Sequence, residues 1–380
     1  MILSDQQIGI LGGGQLGTFL TIAAKQMGYR VSVWDPDIGA PAHAWADHSI
    51  QTHFDHPESL KQFIHENAVI TYEWENIPVS LVASIEAEKP VRPGSTVLNH
   101  LQNRIQEKGF LTAGGFPVTP YLPVLDPNNL VAAAESLGFP LICKTATAGY
   151  DGIGQWRLSN VGAVTDLRRK LKSRKRGWIL EKVANFSKEL SVIVARGADG
   201  EVVTYPVSEN IHENGILRLS KIPAEISADL SERIARLGKA VITALEGVGL
   251  FCIELFLLEN DALLINEIAP RPHNSGHATM DSCDTSQYAQ QVRTLCNLPL
   301  MTPRILSPAV MLNVLGDEIK ALRNESILKA LLSLPGIHLY DYRKQEIKDR
   351  RKMGHITLTG SDPIQLSAQA LQVQDLLKKS

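Results

Sequence analysis

The chain has 380 residues, enough for two or three domains that each bury a core, and its 44% hydrophobic and 21% charged residues describe an ordinary globular protein. A formal net charge of -2 gives no global field to gather nucleic acid or an anionic membrane surface, so neither is expected as a partner. No apolar run approaches the roughly 20 residues of a membrane helix, no basic-then-apolar leader opens the chain, and the 4 cysteines show no C-x-x-C spacing. A cytoplasmic location is expected, without zinc or a disulfide framework.

Near the start stands "GILGGGQLGTFL" (9–20), whose glycines 12, 14 and 17 satisfy G-x-G-x-x-G. They follow an apolar run (Ile8, Ile10, Leu11) and precede a helix pattern of Leu16, Phe19, Leu20, Ala23 and Met27. Asp35 closes the next apolar run, where the ribose-binding carboxylate of a dinucleotide site would sit. As far as Arg92, apolar runs (7–11, 30–34, 68–71) alternate with helix-like segments (16–27, 58–67, 79–87), the pattern of a parallel sheet with helices on both faces. A Rossmann-like α/β domain is therefore expected over 1–100. "VRPGS" (91–95) ends it, and a helical stretch through Arg104 and Lys108 leads away.

The region 105–300 reads differently. A helix pattern at 130–137 precedes the strand "FPLICK" (139–144) and a glycine-rich turn; "GWILEKV", "KELSVIVARG" and "EVVTYPVSEN" follow as strands, the last two joined as a hairpin across "ADG". The basic run "RRKLKSRKR" (168–176) is expected to be a solvated helix face. A helix at 228–246 feeds a second hairpin, "LFCIELFLLENDALLINE". The change from helix-interleaved to hairpin-rich marks a separate α+β domain. A third unit, 301–380, has short strands and a closing helix at 365–379.

Chemistry concentrates in three places. Pairing Leu258 with Leu263 across the "ENDA" turn sets Glu254 opposite Glu267 on one sheet face. Like charges directly opposite destabilise a sheet and ask for a cation; Mg²⁺ is suited, because it binds one or two carboxylates together with substrate phosphates. Two solvated glutamates are the alternative. In "TATAGYDGIGQW" (145–156) the glycines let several N–H groups approach one anion, and Lys144 supplies a point charge for a phosphate; a simple tight turn is the alternative. "NEIAPRPHNSGH" (266–277) packs Arg271, His273, Asn274 and His277 directly after Glu267, a set able to bind a small planar oxyanion.

Taken together, "LGGGQLG", "TYEWENIP", "GFPLICKTATAGYDGIGQW", "SENIHENGI", "NEIAPRPHNSGH" and "RRKMGH" make the chain resemble the ATP-grasp ligases, and among them the 5-(carboxyamino)imidazole ribonucleotide synthases. The resemblance spans all three units. It implies an ATP-grasp fold with a Rossmann-like pre-ATP-grasp domain and a small C-terminal domain. It implies that ATP phosphorylates bicarbonate to carboxyphosphate, which carboxylates 5-aminoimidazole ribonucleotide in purine biosynthesis. For ATP it implies contacts from Arg104, Lys144, Gly149, Tyr150, Asp151, Gly152, Ile153, Gly154, Gln155, Glu181, Lys182, Val183, Ala184, Glu189, His212, Asn266 and Glu267. Mg²⁺ falls to Glu254 and Glu267, and the aminoimidazole and bicarbonate side to Glu73, Tyr150, Asp151, Arg271, His273, Asn274 and Lys352. Arg351 and Lys352 are implied at the ribonucleotide phosphate. The N-terminal glycine turn would then offer its N–H groups to the ribonucleotide, and Asp35 would lose its dinucleotide role. A homodimer is expected.

Two positions depart from the family pattern: Ile153 replaces a usual Arg or Lys, and Ala148 a common glycine. The competing readings are a formate-using ATP-grasp enzyme such as glycinamide ribonucleotide transformylase, an NAD-dependent dehydrogenase resting on the first 35 residues, and a nucleotide-binding protein without turnover.

Overall fold

The structure, a computed structural model, describes residues 1–149, 152–171 and 177–378. Its first part comprises β1 (Gln7–Leu11), α1 (Gln15–Gln26), β2 (Arg30–Trp34), β3 (His48–Ile50), α2 (Pro57–Glu66), β4 (Val69–Tyr72) and α3 (Val79–Glu86), with a parallel sheet of order β3-β2-β1-β4. Every residue of β1 is buried, which is why it reads as an unbroken apolar run. α1 packs on one face of the sheet, α2 and α3 on the other. Strand order reverses between β1 and β4, so the crevice beyond their carboxyl ends collects the turn Gly12–Gly14 and Glu73. β3 has two of its three residues exposed and carries no periodic signal, so it escapes a reading by pattern.

The helical stretch beyond "VRPGS" is two helices, α4 (Ser95–Leu101) and α5 (Arg104–Ala113); Asn103 caps the second by accepting from the Ile105 N–H at 3.0 Å. A small antiparallel sheet follows, built from β5 (Tyr121–Val124), β6 (Leu141–Thr145), β7 (Gln155–Leu158) and β8 (Trp178–Lys182) in the order β5-β8-β6-β7. The helices α6 (Leu130–Leu137) and α7 (Val161–Lys170) bury its Cys143, Trp178 and Leu180 side. Strand alternation then sends Lys144 and Glu181 to the opposite side. Arg168, Arg169 and Lys170 end α7 exposed, as expected of the basic run; residues 172–176 lie outside the described residues.

The larger sheet contains β9 (Phe186–Arg196), β10 (Val202–Thr204), β11 (Ser208–Glu213), β12 (Ile216–Ile222), β13 (Gly249–Leu258) and β14 (Leu263–Ala269), with α8 (Ala228–Leu245) laid across it. Leu230, Ile234, Val241 and Ile242 of α8 meet Val192, Val194, Ile253 and Leu255. After α9 (Thr279–Ser282) and α10 (Gln287–Cys296) come β15 (Ala309–Leu315), α11 (Glu325–Leu332), β16 (Ile337–Asp341), β17 (Lys352–Thr359) and α12 (Pro363–Leu377). These last strands continue the large sheet, whose order is β14-β13-β9-β11-β12-β15-β17-β16 with β10 on β9. The third unit thus shares its sheet with the middle one through β12 and β15. Among the described residues no helix is long and apolar enough to cross a membrane, and all four cysteines are free and buried.

Candidate active site

Glu254 and Glu267 do lie opposite each other, but by a different route from the one the turn suggested. Leu257, not Leu258, pairs with Leu263, and that register would set Glu254 against Asn266. A β-bulge between Glu254 and Leu255 absorbs one residue of β14, and Glu254 meets Glu267. Burial first, and then the charge of Glu267, push the Glu254 carboxyl up to about 7. The pair asks for a cation. Beside it the Asn266 amide oxygen is buried with no partner among the described residues. Two carboxylates and a spare amide oxygen are the hard oxygen donors Mg²⁺ takes, so the residues fit the ion.

From the small sheet, Lys144 donates to Glu181 at 2.8 Å in a buried pair. Burial alone would raise the Glu181 carboxyl, yet the charges of Lys144 and Lys108 hold it below the usual range. Arg104 joins the two sheets: it donates to the Thr145 carbonyl at 3.3 Å and the Gly149 carbonyl at 2.9 Å, and stands 3.7 Å from Glu267. The glycine loop folds back on β6. Gly152 and Gly154 both have φ of +78°, and the Gly154 carbonyl accepts from the Thr145 N–H at 2.9 Å. Gln155 opens β7 opposite Lys144, and Ile153 points out with 53% exposure. Tyr150 and Asp151 lie outside the described residues. After β8, the Lys182 N–H donates to the Pro120 carbonyl and the Val183 N–H to the Pro140 carbonyl, which anchors the segment through Ala184. Glu189 and His212, on neighbouring strands, pair at 2.5 Å. Burial tends to lower the His212 pKa, but the Glu189 hydrogen bond and the charge of Glu254 raise it overall.

The segment after β14 supplies the other side. Arg271 makes a two-pronged contact with Glu75, at 2.7 and 2.9 Å. His273 Nδ1 accepts from the Ser275 N–H at 3.3 Å, so its Nε2 carries the proton and points at Glu254 from 3.4 Å. Burial, then Arg271 and Lys352, hold the His273 pKa well below its ordinary value, which keeps the ring neutral. Gln287 of α10 clamps the His273 backbone, accepting from its N–H at 2.9 Å and donating to its carbonyl at 2.8 Å. Asn274 is 6% exposed, and neither end of its amide finds a partner among the described residues. Lys352 begins β17, and its positive charge disfavours protonation of His212, His273 and His277. Arg351 donates to the Glu346 carbonyl at 3.0 Å.

The N-terminal glycine turn is partly occupied from within the chain. Three of its N–H groups are engaged: those of Gly14 and Gly17 donate to the Glu73 carboxylate at 2.9 and 3.0 Å, and that of Gly13 donates to Asp35 at 2.6 Å. Glu73 therefore takes up part of the positive end of α1. Burial raises its carboxyl pKa despite those hydrogen bonds. With Asp35 folded onto the turn, the ribose contact of a dinucleotide site is lost as well. Sequence reasoning missed Glu75, Glu107, Lys108 and Gln287. For three of them a signal existed: Glu75 lies two residues beyond Glu73 in "TYEWENIP", and Glu107 and Lys108 share a helical face with Arg104.

A lysine and glycine loop on a small antiparallel sheet, linked through Arg104 to paired carboxylates on a larger one, place the chain among the ATP-grasp enzymes. The ATP-grasp domain model matches residues 109–288, the ribonucleotide synthetase preATP-grasp domain model 5–102, and the phosphoribosylaminoimidazole carboxylase C-terminal domain model 309–369. A Bacillus subtilis N5-carboxyaminoimidazole ribonucleotide synthase is 41% identical over 350 residues, covering 92% of this chain and 90% of the relative. Among solved structures, an ADP complex of an N5-carboxyaminoimidazole ribonucleotide synthetase is similar with a TM-score of 0.93 and 39% identity, covering 100% of this chain and 99% of that one. An N5-carboxyaminoimidazole synthase from Aspergillus clavatus, in complex with ADP and 5-aminoimidazole ribonucleotide, gives a TM-score of 0.90 at 29% identity, with 99% of each chain covered. The chain belongs to the N5-carboxyaminoimidazole ribonucleotide synthase family.

Proposed function

We propose that this enzyme uses ATP and bicarbonate to carboxylate the exocyclic amine of 5-aminoimidazole ribonucleotide, giving N5-carboxyaminoimidazole ribonucleotide, ADP and phosphate in purine biosynthesis. A bicarbonate oxygen attacks the γ-phosphorus and ADP leaves. The carbon–oxygen bond to phosphate then breaks, phosphate leaving with the electron pair; the amine nitrogen takes the carbon as CO₂, and phosphate accepts the amine proton. The observation that carries the reading is His273 Nε2 standing 3.4 Å from Glu254, because it ties the segment bearing Arg271 and Asn274 to the carboxylate pair.

Mg²⁺, held by Glu254 and Glu267, supplies the charge that neutralises the ATP phosphates. Lys144, Arg104 and the Gly149–Gln155 loop hold the phosphates, and residues 181–184 with Glu189 and His212 hold the nucleoside. His273 orients Glu254 as a neutral donor. Asn274 and Arg271 face the carboxyl group; Glu73 and Lys352 serve the ribonucleotide, Lys352 with Arg351 at its phosphate. Three units, 1–100, 105–300 and 301–380, a homodimer and a cytoplasmic location belong to the same reading, carried by the family resemblance. Sedimentation velocity tests the dimer.

The function is tested by following phosphate release from MgATP with bicarbonate or formate, with 5-aminoimidazole ribonucleotide, with glycinamide ribonucleotide, or with neither. Release that needs both bicarbonate and the aminoimidazole is expected. Release driven by formate and glycinamide ribonucleotide overturns the reading.

A further inference from the structure

The bulge in β14 has its own support, built from the face of α5 that carries Arg104. Lys108 is 1% exposed, and its ammonium donates to the Ile265 carbonyl at 2.9 Å and the Asn266 carbonyl at 2.8 Å. Glu107, 2% exposed, accepts from the Ile268 N–H at 2.5 Å. These backbone groups flank the point where one residue of β14 has no opposite number. A bulge interrupts the ladder, and a carbonyl or N–H left buried without a partner is costly. An ammonium and a carboxylate are themselves expensive to bury without partners. Here each supplies what the other lacks, and the place where they meet is the irregularity that decides which way Glu267 points.

We propose that Lys108 and Glu107 are positioning residues that hold the β-bulge at Asn266 and so keep Glu267 beside Glu254 as a metal site. Without the bulge, the register of Leu257 with Leu263 runs on, Asn266 takes the place opposite Glu254, and Glu267 turns toward the side of Ile253 and Ile268, which is core. Arg104, one turn back on the same face, reaches Glu267 and the glycine loop together, so α5 sets the metal carboxylate and the phosphate loop from one rigid body. The inference rests on the assignment of Glu254 and Glu267 to the metal.

The test is Mn²⁺ titration of the full chain with ADP, read by electron paramagnetic resonance, beside ADP affinity measured without metal. Glu254→Gln and Glu267→Gln each weaken Mn²⁺ binding if the metal reading holds. Lys108→Met and Glu107→Ala are then expected to weaken it roughly tenfold or more, with metal-free ADP affinity little changed. Glu107→Gln, which keeps an oxygen for the Ile268 N–H, is expected to restore it. Should Lys108→Met fail to fold, the contrast of Glu107→Ala with Glu107→Gln decides. Weak Mn²⁺ binding in the carboxylate variants alone, with Lys108→Met and Glu107→Ala like wild type, overturns the inference and leaves the metal reading intact. Unchanged Mn²⁺ binding in the carboxylate variants overturns that reading itself.

Discussion

Glu267 is asked to do three things at once: face a like charge, lie within 3.7 Å of Arg104, and remain open to a ligand. Replacing it by Gln keeps the shape and removes the charge, so kcat is expected to fall roughly a hundredfold or more while the melting temperature stays within a few degrees. Steady-state rates and a thermal melt check this together. His212 gives a pH dependence. Its pKa is raised in the folded chain by Glu189, so the pair's stabilisation is fully present below the unfolded value of 6.5 and fades as pH rises through the folded value. The difference in melting temperature between wild type and His212→Gln is therefore expected to shrink as pH climbs above 6.5; a constant difference contradicts the ion pair. At this scale the sequence was informative wherever chemistry sits in one short stretch, as in Arg271, His273 and Asn274. It was silent on partners drawn from far along the chain: Glu75 meets Arg271 across 196 residues, and no local pattern reveals that.

Elements were readable where one face is apolar and the other wet, as in α8, or where both faces are buried and the strand reads as one apolar run, as in β1. α10 was not. Tyr288, Val292, Leu295 and Cys296 give it an apolar stripe, but Gln287, Gln290 and Gln291 are fully buried too, spent on backbone and side-chain contacts, so no wet face sets that stripe off. The carboxylate hairpin is instructive in another way. A one-residue slip at the turn and a one-residue bulge cancel, so the pair was found although the register at the turn was not. Two glycine substitutions test the loops. Gly154 has φ of +78° and a Cβ there would lie 2.8 Å from Thr145 Oγ1, so Gly154→Val is expected to raise the Michaelis constant for ATP at least tenfold and leave that for the ribonucleotide nearly unchanged. Gly14→Ala puts a methyl 2.7 Å from Glu73 Oε1 and is expected to do the reverse. Initial-rate kinetics with each substrate varied in turn separate the two.

The whole molecule joins a parallel sheet, whose strand order lets a crevice open at Glu73, to a long antiparallel one that passes unbroken from the middle of the chain into its end. That continuity was hidden from the sequence, because the pairing of β12 with β15 spans about 90 residues and leaves no periodic trace. Its strength is visible in the structure: Arg218 donates to the Asn313 carbonyl at 2.8 Å and Asn313 donates back to the Leu217 carbonyl at 2.7 Å. Ending the chain at residue 305 would strip the partner from β12 and expose Leu219. Such a truncation is expected to lose cooperative unfolding and aggregate, as gel filtration and circular dichroism would show. The same continuity brings Lys352 to a site otherwise made by about the first three quarters of the chain. Transfer of a carboxyl group from bicarbonate to an amine at the expense of ATP is the work expected of this site. It is tested most directly by supplying ¹³C-bicarbonate, MgATP and 5-aminoimidazole ribonucleotide and counting labelled carbamate by NMR against ADP formed. One labelled N5-carboxylate per ADP is the predicted result; ADP formed without labelled product, or turnover only when formate replaces bicarbonate, would contradict it.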